Sequence, residues 1–324
     1  MNDFTILVLP GAYSSSVAVT LDMLAAAALL AERAGCATPR WRVMSTEPVV
    51  ALGNGMKIDA KVLPKTPRAD SSVWVVPGLG LDNRRALDER LARPDAALAA
   101  HALRRHARAG GVVAASCSAV FLLQAAGLLA DRSVTTSWWL APLLRQREPG
   151  CVVDADRMVI CDGALVTAGA ALAQTDLMLY LLRTRLSPAL ADAVARALLI
   201  DGRQSQAQFV VPAMLADGNA LVAKLVKRFE AALPEAPSVA ALAAEFGMAE
   251  RTLARHVRAA TGRGTSALLQ GVRLNRARVL LETSKMTVEQ VAERVGYADT
   301  TALRRLMRKA TGATPRQFRT AVDR

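Results

Sequence analysis

Residues 238–262, SVAALAAEFGMAERTLARHVRAATG, and residues 287–312, TVEQVAERVGYADTTALRRLMRKATG, are two copies of one pattern. No other feature of the 324-residue chain restricts its fold as tightly. The offset is 49 at Gly247 and Gly296 and 50 at Leu253 and Leu303, so the C-terminal third is built from one supersecondary unit used twice.

Each copy opens on a hydroxyl N-cap, Ser238 or Thr287, and the second adds Gln290 at the capping-box position. Apolar residues follow at Val239, Leu242, Ala243 and Phe246, and at Val288, Val291, Ala292 and Val295. That spacing is the stripe of a short amphipathic helix. Gly247 and Gly296 supply the left-handed residue that stops each helix and turns the chain. In the second helix of each copy Leu253 and Val257, or Leu303 and Met307, point inward. Arg251, Thr252, Arg255 and Arg258 are left facing out in the first copy, and Thr300, Thr301, Arg304, Arg305 and Arg308 in the second. A short helix, a glycine turn and a helix with an Arg/Thr face make a helix-turn-helix, whose second helix enters the major groove. Arginine there forks onto guanine or grips phosphate. Between the copies, 264–282 reads as one helix about 28 Å long at ~1.5 Å per residue, close to the ~34 Å between successive major-groove faces.

Charge agrees with a polyanionic partner. Residues 216–324 hold 19 Lys and Arg against 10 Asp and Glu, while residues 1–215 hold 22 against 18. Charge alone fits a solvated basic face equally well; the repeat decides for double-stranded DNA.

The first 200 residues read differently. Runs at 4–9, 41–45, 72–77, 112–116 and 164–168 have strand character, with helical runs at 17–34, 94–109, 118–129 and 170–185 between them. Strands without inside-outside alternation, separated by helices, predict a mostly parallel α/β sheet covered on both faces. Ligands of such sheets bind beyond the carboxyl ends of the strands, here Leu9-Pro10-Gly11, Val76-Pro77-Gly78 and Ser116-Cys117. The polar, Gly/Pro-punctuated stretch 201–218 is the expected linker, and from Ala220 onward the chain is helical. The expected division is therefore 1–200, 201–218 and 219–324. Val112 to Ala130 carries no charge, yet its Ser-Cys-Ser, Gln124 and Gly127 suit a buried strand and core helix better than a membrane span. Cys36, Cys117, Cys151 and Cys161 form no C-x-x-C pair, so neither a zinc cluster nor a disulfide framework is indicated; no metal site and no cofactor is expected. The N-terminus does not read as a signal peptide. A reduced cytoplasmic setting is expected.

Cys117 lies in VVAASCSAVF, where a strand ending in a small-Cys-small turn opens a helix. This is the pattern of a nucleophile elbow, and a helix N-terminus favours thiolate. Acyl chemistry also needs a positioned proton acceptor. His101 and His106 lie in the basic helix AAHALRRHARAGG and are expected solvated; His256 belongs to the repeat. Cys117 is thus a ligand-pocket residue, an inert buried cysteine, or a redox sensor or residual nucleophile. Asp22, alone in the apolar helix VAVTLDMLAAAALLA, is read as a pocket carboxylate ahead of a structural one. Gly78 and Leu79 in the Pro77-Gly78-Leu79-Gly80 turn could offer backbone N–H groups to a ligand, and Trp138 and Trp139 a wall or simple core packing.

RTLARHVRAATG, RLNRARVLLETSKMTVEQVAERVGYAD and ATGATPRQFR resemble the AraC/XylS transcription regulators. The sequence departs from that family at Ala249, usually a serine N-cap, and at Leu303, usually phenylalanine. VLPG, TLDML, VVPGLG, ASCSAVFLLQAAGLLADRSVTTSWW and VTAGAALAQTDLMLYLL resemble, more loosely, the PfpI-like, class I glutamine amidotransferase-like superfamily. That resemblance implies a flavodoxin-like sheet in which Asp22 matches the catalytic carboxylate and Cys117 the nucleophile. Ser137, in TTSWW, stands where many relatives carry the histidine. A serine cannot accept the thiol proton near neutral pH, so catalysis is not expected; the rivals are a cysteine-dependent hydrolase or hydratase with a DNA-binding tail, and an architectural DNA binder with no ligand. The two domains together resemble the GlxA-type regulators. This implies a small-molecule effector bound near Asp22, Gly78, Leu79, Cys117, Ser118, Ser137 and Trp138, with an amine-bearing ligand favoured if Asp22 is ionised. It also implies a homodimer on promoter DNA, with RNA polymerase as a further candidate partner and no membrane contact.

Overall fold

The computed structural model describes residues 3–64, 66, 68–203, 205–206, 210, 219–311 and 314–319. The chain forms two compact units, Met1–Gln206 and Ala207–Arg324. The first unit runs past the expected boundary at residue 200, because Ser205 makes an antiparallel bridge to Arg157. Most of the expected linker, at 204, 207–209 and 211–218, lies outside the described residues.

The first unit is built on a seven-stranded sheet. Its strands are β1 (Phe4–Leu7), β2 (Trp41–Ser45), β5 (Lys61–Val62), β6 (Val73–Val76), β7 (Val113–Ser116), β10 (Val159–Asp162) and β11 (Leu165–Ala168), paired in the order β10-β11-β7-β6-β1-β2-β5. All pairs are parallel except β10 with β11. The five strands expected from the sequence thus sit in the flavodoxin-like order 2-1-3-4-5. The sequence missed the short additions: β5, β10, the ribbon of β3 (Val49–Ala51) with β4 (Lys57–Asp59), and the pair β8 (Ser133–Val134) with β9 (Val152–Val153). Runs of two to four residues, each with at least one residue not buried, are too short to show a strand period.

Helices cover both faces. Phe4, Ile6 and Val75 pack with α1 (Ser14–Leu30), α6 (Gln174–Arg185) and α7 (Pro188–Ala197). Leu7, Trp74 and Val76 face a second core with Leu87 of α2 (Arg84–Leu91), Leu103 of α3 (Pro94–Arg108), Phe121 of α4 (Val120–Ala125) and Leu144 of α5 (Ala141–Arg147). The uncharged stretch at 112–130 is the centre of that core, since Ala119 to Leu123 are all 0 % exposed. No helix among the described residues is long and apolar enough to cross a membrane.

His106 corrects an expectation. It is buried, not solvated, with its ring stacked on Trp74 at 4.9 Å between centroids. The space it fills exists because residue 111 is glycine; a Cβ there would clash with Nε2, Cε1 and Cδ2 of the imidazole. Burial lowers the His106 pKa, with Asp70 opposing and Arg42 assisting.

The second unit is helical throughout its longer elements: α8 (Ala220–Ala231), α9 (Val239–Glu245), α10 (Glu250–Thr261), α11 (Thr265–Thr283), α12 (Val288–Arg294) and α13 (Thr300–Thr311). Ser238 caps α9 and Thr287 caps α12, the latter with the reciprocal Gln290 bond of a capping box. Gly247 and Gly296 both take positive φ, at 66° and 80°. Leu253 and Val257 are buried in the first copy. Leu303 and Met307 join Val291, Ala292 and Val295 in a core closed by Ala277 and Leu281 of α11. Midway along α11, the Arg273 guanidinium lies over the rings of both Phe229 on α8 and Tyr297 in the second turn, at 5.4 and 5.7 Å. One cation thus ties the two halves through the helix they share.

Candidate functional site

The candidate residues fall into two groups, one in each unit. In the second unit, α10 and α13 bury one stripe and expose the other. Arg251, Arg255 and Arg258 are exposed on α10 and Thr252 is half-buried. On α13, Thr301, Arg304, Arg305 and Arg308 are exposed and Thr300 half-buried. The two helices start differently. Ala249 stands at the N-cap of α10 with no side-chain bond to the helix, whereas the Asp299 carboxylate accepts from the Ala302 N–H at 2.8 Å and caps α13. That bond and the Thr301 N–H hold the Asp299 carboxyl below its usual pKa. Arg304 also reaches Glu289 at 3.7 Å, an exposed pair worth little by itself.

In the first unit, β7 ends at Ser116 and the chain turns at Cys117 with φ of 56°, a left-handed conformation that costs a non-glycine residue roughly 1–3 kcal/mol. The turn is held from both sides. The Cys117 N–H donates to Gly169 O at 2.7 Å, and the Thr136 hydroxyl donates to Cys117 O at 2.7 Å. Around the sulfur, Ser137 Oγ donates to Sγ at 3.0 Å and Ser118 Oγ lies 3.9 Å away. Gly78 closes the other side, where a Cβ would stand 3.0 Å from Cys117 Cβ and 3.6 Å from Ser16 Oγ. Burial pushes the Cys117 thiol up, while the Ser137 hydroxyl and the Ser118 N–H pull it down by less. The expected thiolate at a helix N-terminus is not what this arrangement favours: removal from water outweighs the donors.

The profile of the DJ-1/PfpI family matches residues 5–184, more than half of the chain. The chain belongs to the DJ-1/PfpI family. The profile of a helix-turn-helix domain matches residues 242–321. Among curated proteins, the HTH-type transcriptional regulator GlxA of Rhizobium meliloti (strain 1021) is 27% identical over 311 residues, covering 94% of this chain and 91% of that protein. The HTH-type transcriptional regulator CdhR of Pseudomonas aeruginosa is 26% identical over 325 residues, covering 99% and 92%. Among solved structures, an AraC family transcriptional regulator from Pseudomonas putida superposes with a TM-score of 0.50 at 21% identity, covering 61% of this chain and all of that one. That likeness concerns fold. A DJ-1/PfpI domain followed by an AraC-type helix-turn-helix domain is the organisation of a DNA-binding transcription regulator.

Within the DJ-1/PfpI domain, four of the sequence-predicted residues converge. Gly78, Cys117, Ser118 and Ser137 form the elbow, and Ser118 Oγ also accepts from the Leu81 N–H at 3.3 Å. Leu79 is 2 % exposed and belongs to the core. Trp138 is buried and packs edge-on to Trp139 at 5.1 Å. Asp22 does not converge: it is exposed on α1. The α1 residue that reaches the elbow is Ser16, whose hydroxyl donates to Ala171 O at 2.9 Å. Six residues of helix separate the two, about 120° around the axis and about 9 Å along it, so one face cannot present both. Nothing distinguishes Ser16 within Ser14-Ser15-Ser16 until the end of β1 and the start of α1 are fixed. Gln206, read as linker, was also missed. It is 1 % exposed, and a polar residue in a polar stretch gives no sign of burial.

Proposed function

We propose that this protein regulates transcription by binding specific double-stranded DNA through α10 and α13, under the control of a small molecule bound at the elbow of a DJ-1/PfpI domain that performs no hydrolysis. The observation that carries this reading is the paired helix-turn-helix geometry: two glycine-turned motifs on one 19-residue helix, each burying a Leu-led stripe and exposing arginines. In this reading the first unit, which runs to Gln206, senses and dimerises, 207–218 connect, and 219–324 bind DNA, with RNA polymerase as the further protein on which the operator-bound regulator acts.

The elbow supports binding over turnover. The group nearest Sγ is a hydroxyl that donates, not a base that accepts. His101 is exposed on α3, His106 is stacked on Trp74, and His256 is in the other unit. Because Asp22 stands outside it, the elbow formed by Ser16, Gly78, Cys117, Ser118 and Ser137 carries no formal charge, which favours a neutral hydrogen-bonding effector over an amine. Cys117 is 3 % exposed and Ser137 0 %, so entry selects a more open conformer, and the effector stabilises it by its preference for that state.

The test is fluorescence anisotropy of the full chain on genomic fragments against random competitor DNA, with and without a metabolite library prescreened by thermal shift. Preference for particular fragments, altered by a compound that raises the melting point, is the expected result. Uniform binding to all DNA would sink the proposal. The positive φ of Cys117 favours one rival, residual cysteine chemistry. Turnover lost in Cys117→Ala would establish it.

A further inference from the structure

The DJ-1/PfpI unit ends on a side chain that it treats as a ligand. The Gln206 carboxamide lies in a slot between three backbone segments. Its Nε2 donates toward Thr136 O, Arg157 O and Ala155 O at 3.0, 3.1 and 3.3 Å, and toward Thr135 Oγ1 at 3.1 Å. Its Oε1 accepts from the Ala170 N–H at 2.9 Å. Acceptors surround the NH2 end and a donor meets the carbonyl end, so the slot reads both halves of a primary carboxamide. Room for it exists because residue 169 is glycine; a Cβ there would overlap Cδ, Oε1 and Nε2 of Gln206.

The slot and the elbow share their walls. Gly169 O holds the Cys117 N–H, and Thr136, whose carbonyl takes the Gln206 amide, uses its hydroxyl to hold Cys117 O. The strand of chain leading to Gln206 is fastened as well. Arg203 bonds Asp176 through its backbone N–H at 2.7 Å and its guanidinium at 2.7 Å, Ser205 Oγ donates to Asp156 O at 2.8 Å, and the Gln206 N–H donates to the same carbonyl at 2.8 Å.

The structure assigns to this slot the role of a primary-carboxamide site filled in cis: Gln206 is a latch that holds the start of the connection to the helix-turn-helix unit against the residues that shape the elbow. Thirteen residue steps join Gln206 to Asn219, the N-cap of α8, a reach of at most ~45 Å. Releasing Arg203, Ser205 and Gln206 moves the last anchored residue back to Ile200, whose N–H is held by Ala195 O, six steps and ~20 Å of chain earlier. A change at Gly169 or Thr136 that accompanies effector binding therefore alters how far the DNA-binding unit can range. This last consequence rests on the proposed function; the latch itself does not.

Hydrogen exchange on the full chain tests the latch. In Gln206→Ala, Gln206→Glu and Gly169→Ala, exchange at the Ala170 amide and in peptides spanning 203–206 should rise at least ~10-fold over wild type, with β1 and β6 peptides unchanged as the control for folding. Gln206→Glu is decisive because it keeps the volume and replaces the donor with an acceptor facing three carbonyls. Wild-type protection in that variant would mean that the slot is filled by shape and does not read an amide, and wild-type protection in Gly169→Ala would mean that the side chain is not seated there; either overturns the assignment. DNA titrations of the same variants report separately. Absence of sequence preference in the wild type would reject the proposed function while leaving the exchange result to decide the latch.

Discussion

Ser137 directs its hydroxyl hydrogen at the sulfur of Cys117 across 3.0 Å, a donor where acyl chemistry needs a proton acceptor. The donor eases a buried thiol without ever taking its proton, and burial remains the larger effect. The pair therefore holds a neutral thiol.

Alkylation measures this directly. Burial holds the Cys117 thiol above its ordinary pKa and keeps reagent from the sulfur, so Cys117 should react with iodoacetamide more slowly than the exposed Cys161 at neutral pH. Mass spectrometry of native protein resolves the two. Ser137→Ala removes the largest opposing donor and should slow Cys117 further; acceleration in that variant would contradict the geometry.

Gly111 and His106 make a second testable pair. Gly111→Ala drives a methyl into the imidazole and should cost about 1–3 kcal/mol in urea unfolding. His106→Ala supplies the missing space, so the double variant should lose less than the two single losses added together. Additive losses would place the strain elsewhere.

The same histidine predicts a pH dependence. Its folded pKa is lowered from 6.5, chiefly by burial, so the unfolded chain binds the proton more readily. The stability it contributes is whole above pH ~6.5 and falls as pH drops below it, toward the lowered folded value. Urea midpoints at pH ~7.5 and ~5.5 should show this fall in wild type and a smaller one in His106→Asn.

Base readout is tested by Arg255→Ala and Arg304→Ala. Each should weaken binding to a preferred fragment by ~1–3 kcal/mol and relax the preference at a few base pairs. Equal loss on preferred and random DNA would leave both arginines as phosphate contacts. Glu289→Ala frees Arg304 from its acidic neighbour and should leave binding unchanged or slightly tighter.

The unequal caps predict opposite shifts. Ala249→Ser gives α10 the side-chain acceptor it lacks and should stabilise the second unit by about 0.5–1 kcal/mol, whereas Asp299→Ala removes the cap of α13 and should cost a similar amount. Thermal unfolding of the two variants checks the signs.

The helix-turn-helix copies and the central strands were legible in the sequence because the forces that make them are local. Ser238, Thr287, Gly247 and Gly296 act within a few residues of themselves, and the apolar run at Val113–Ser116 is buried along its length. The elbow turn at Cys117 was legible for the same reason. What the sequence did not show depends on which distant segments meet. Asp22 and Ser16 share one helix, and only the packing of α1 beside Gly78 selects Ser16 for the elbow. His106 looked solvated in a basic helix until Trp74 and Gly111 made a slot for its ring. Gln206 looked like linker until Gly169, Thr136 and Arg157, 37 to 70 residues away along the chain, formed surroundings that pair its amide. Local periodicity and capping are written in consecutive residues; burial of a polar group is decided by partners that only the tertiary structure brings within hydrogen-bonding distance.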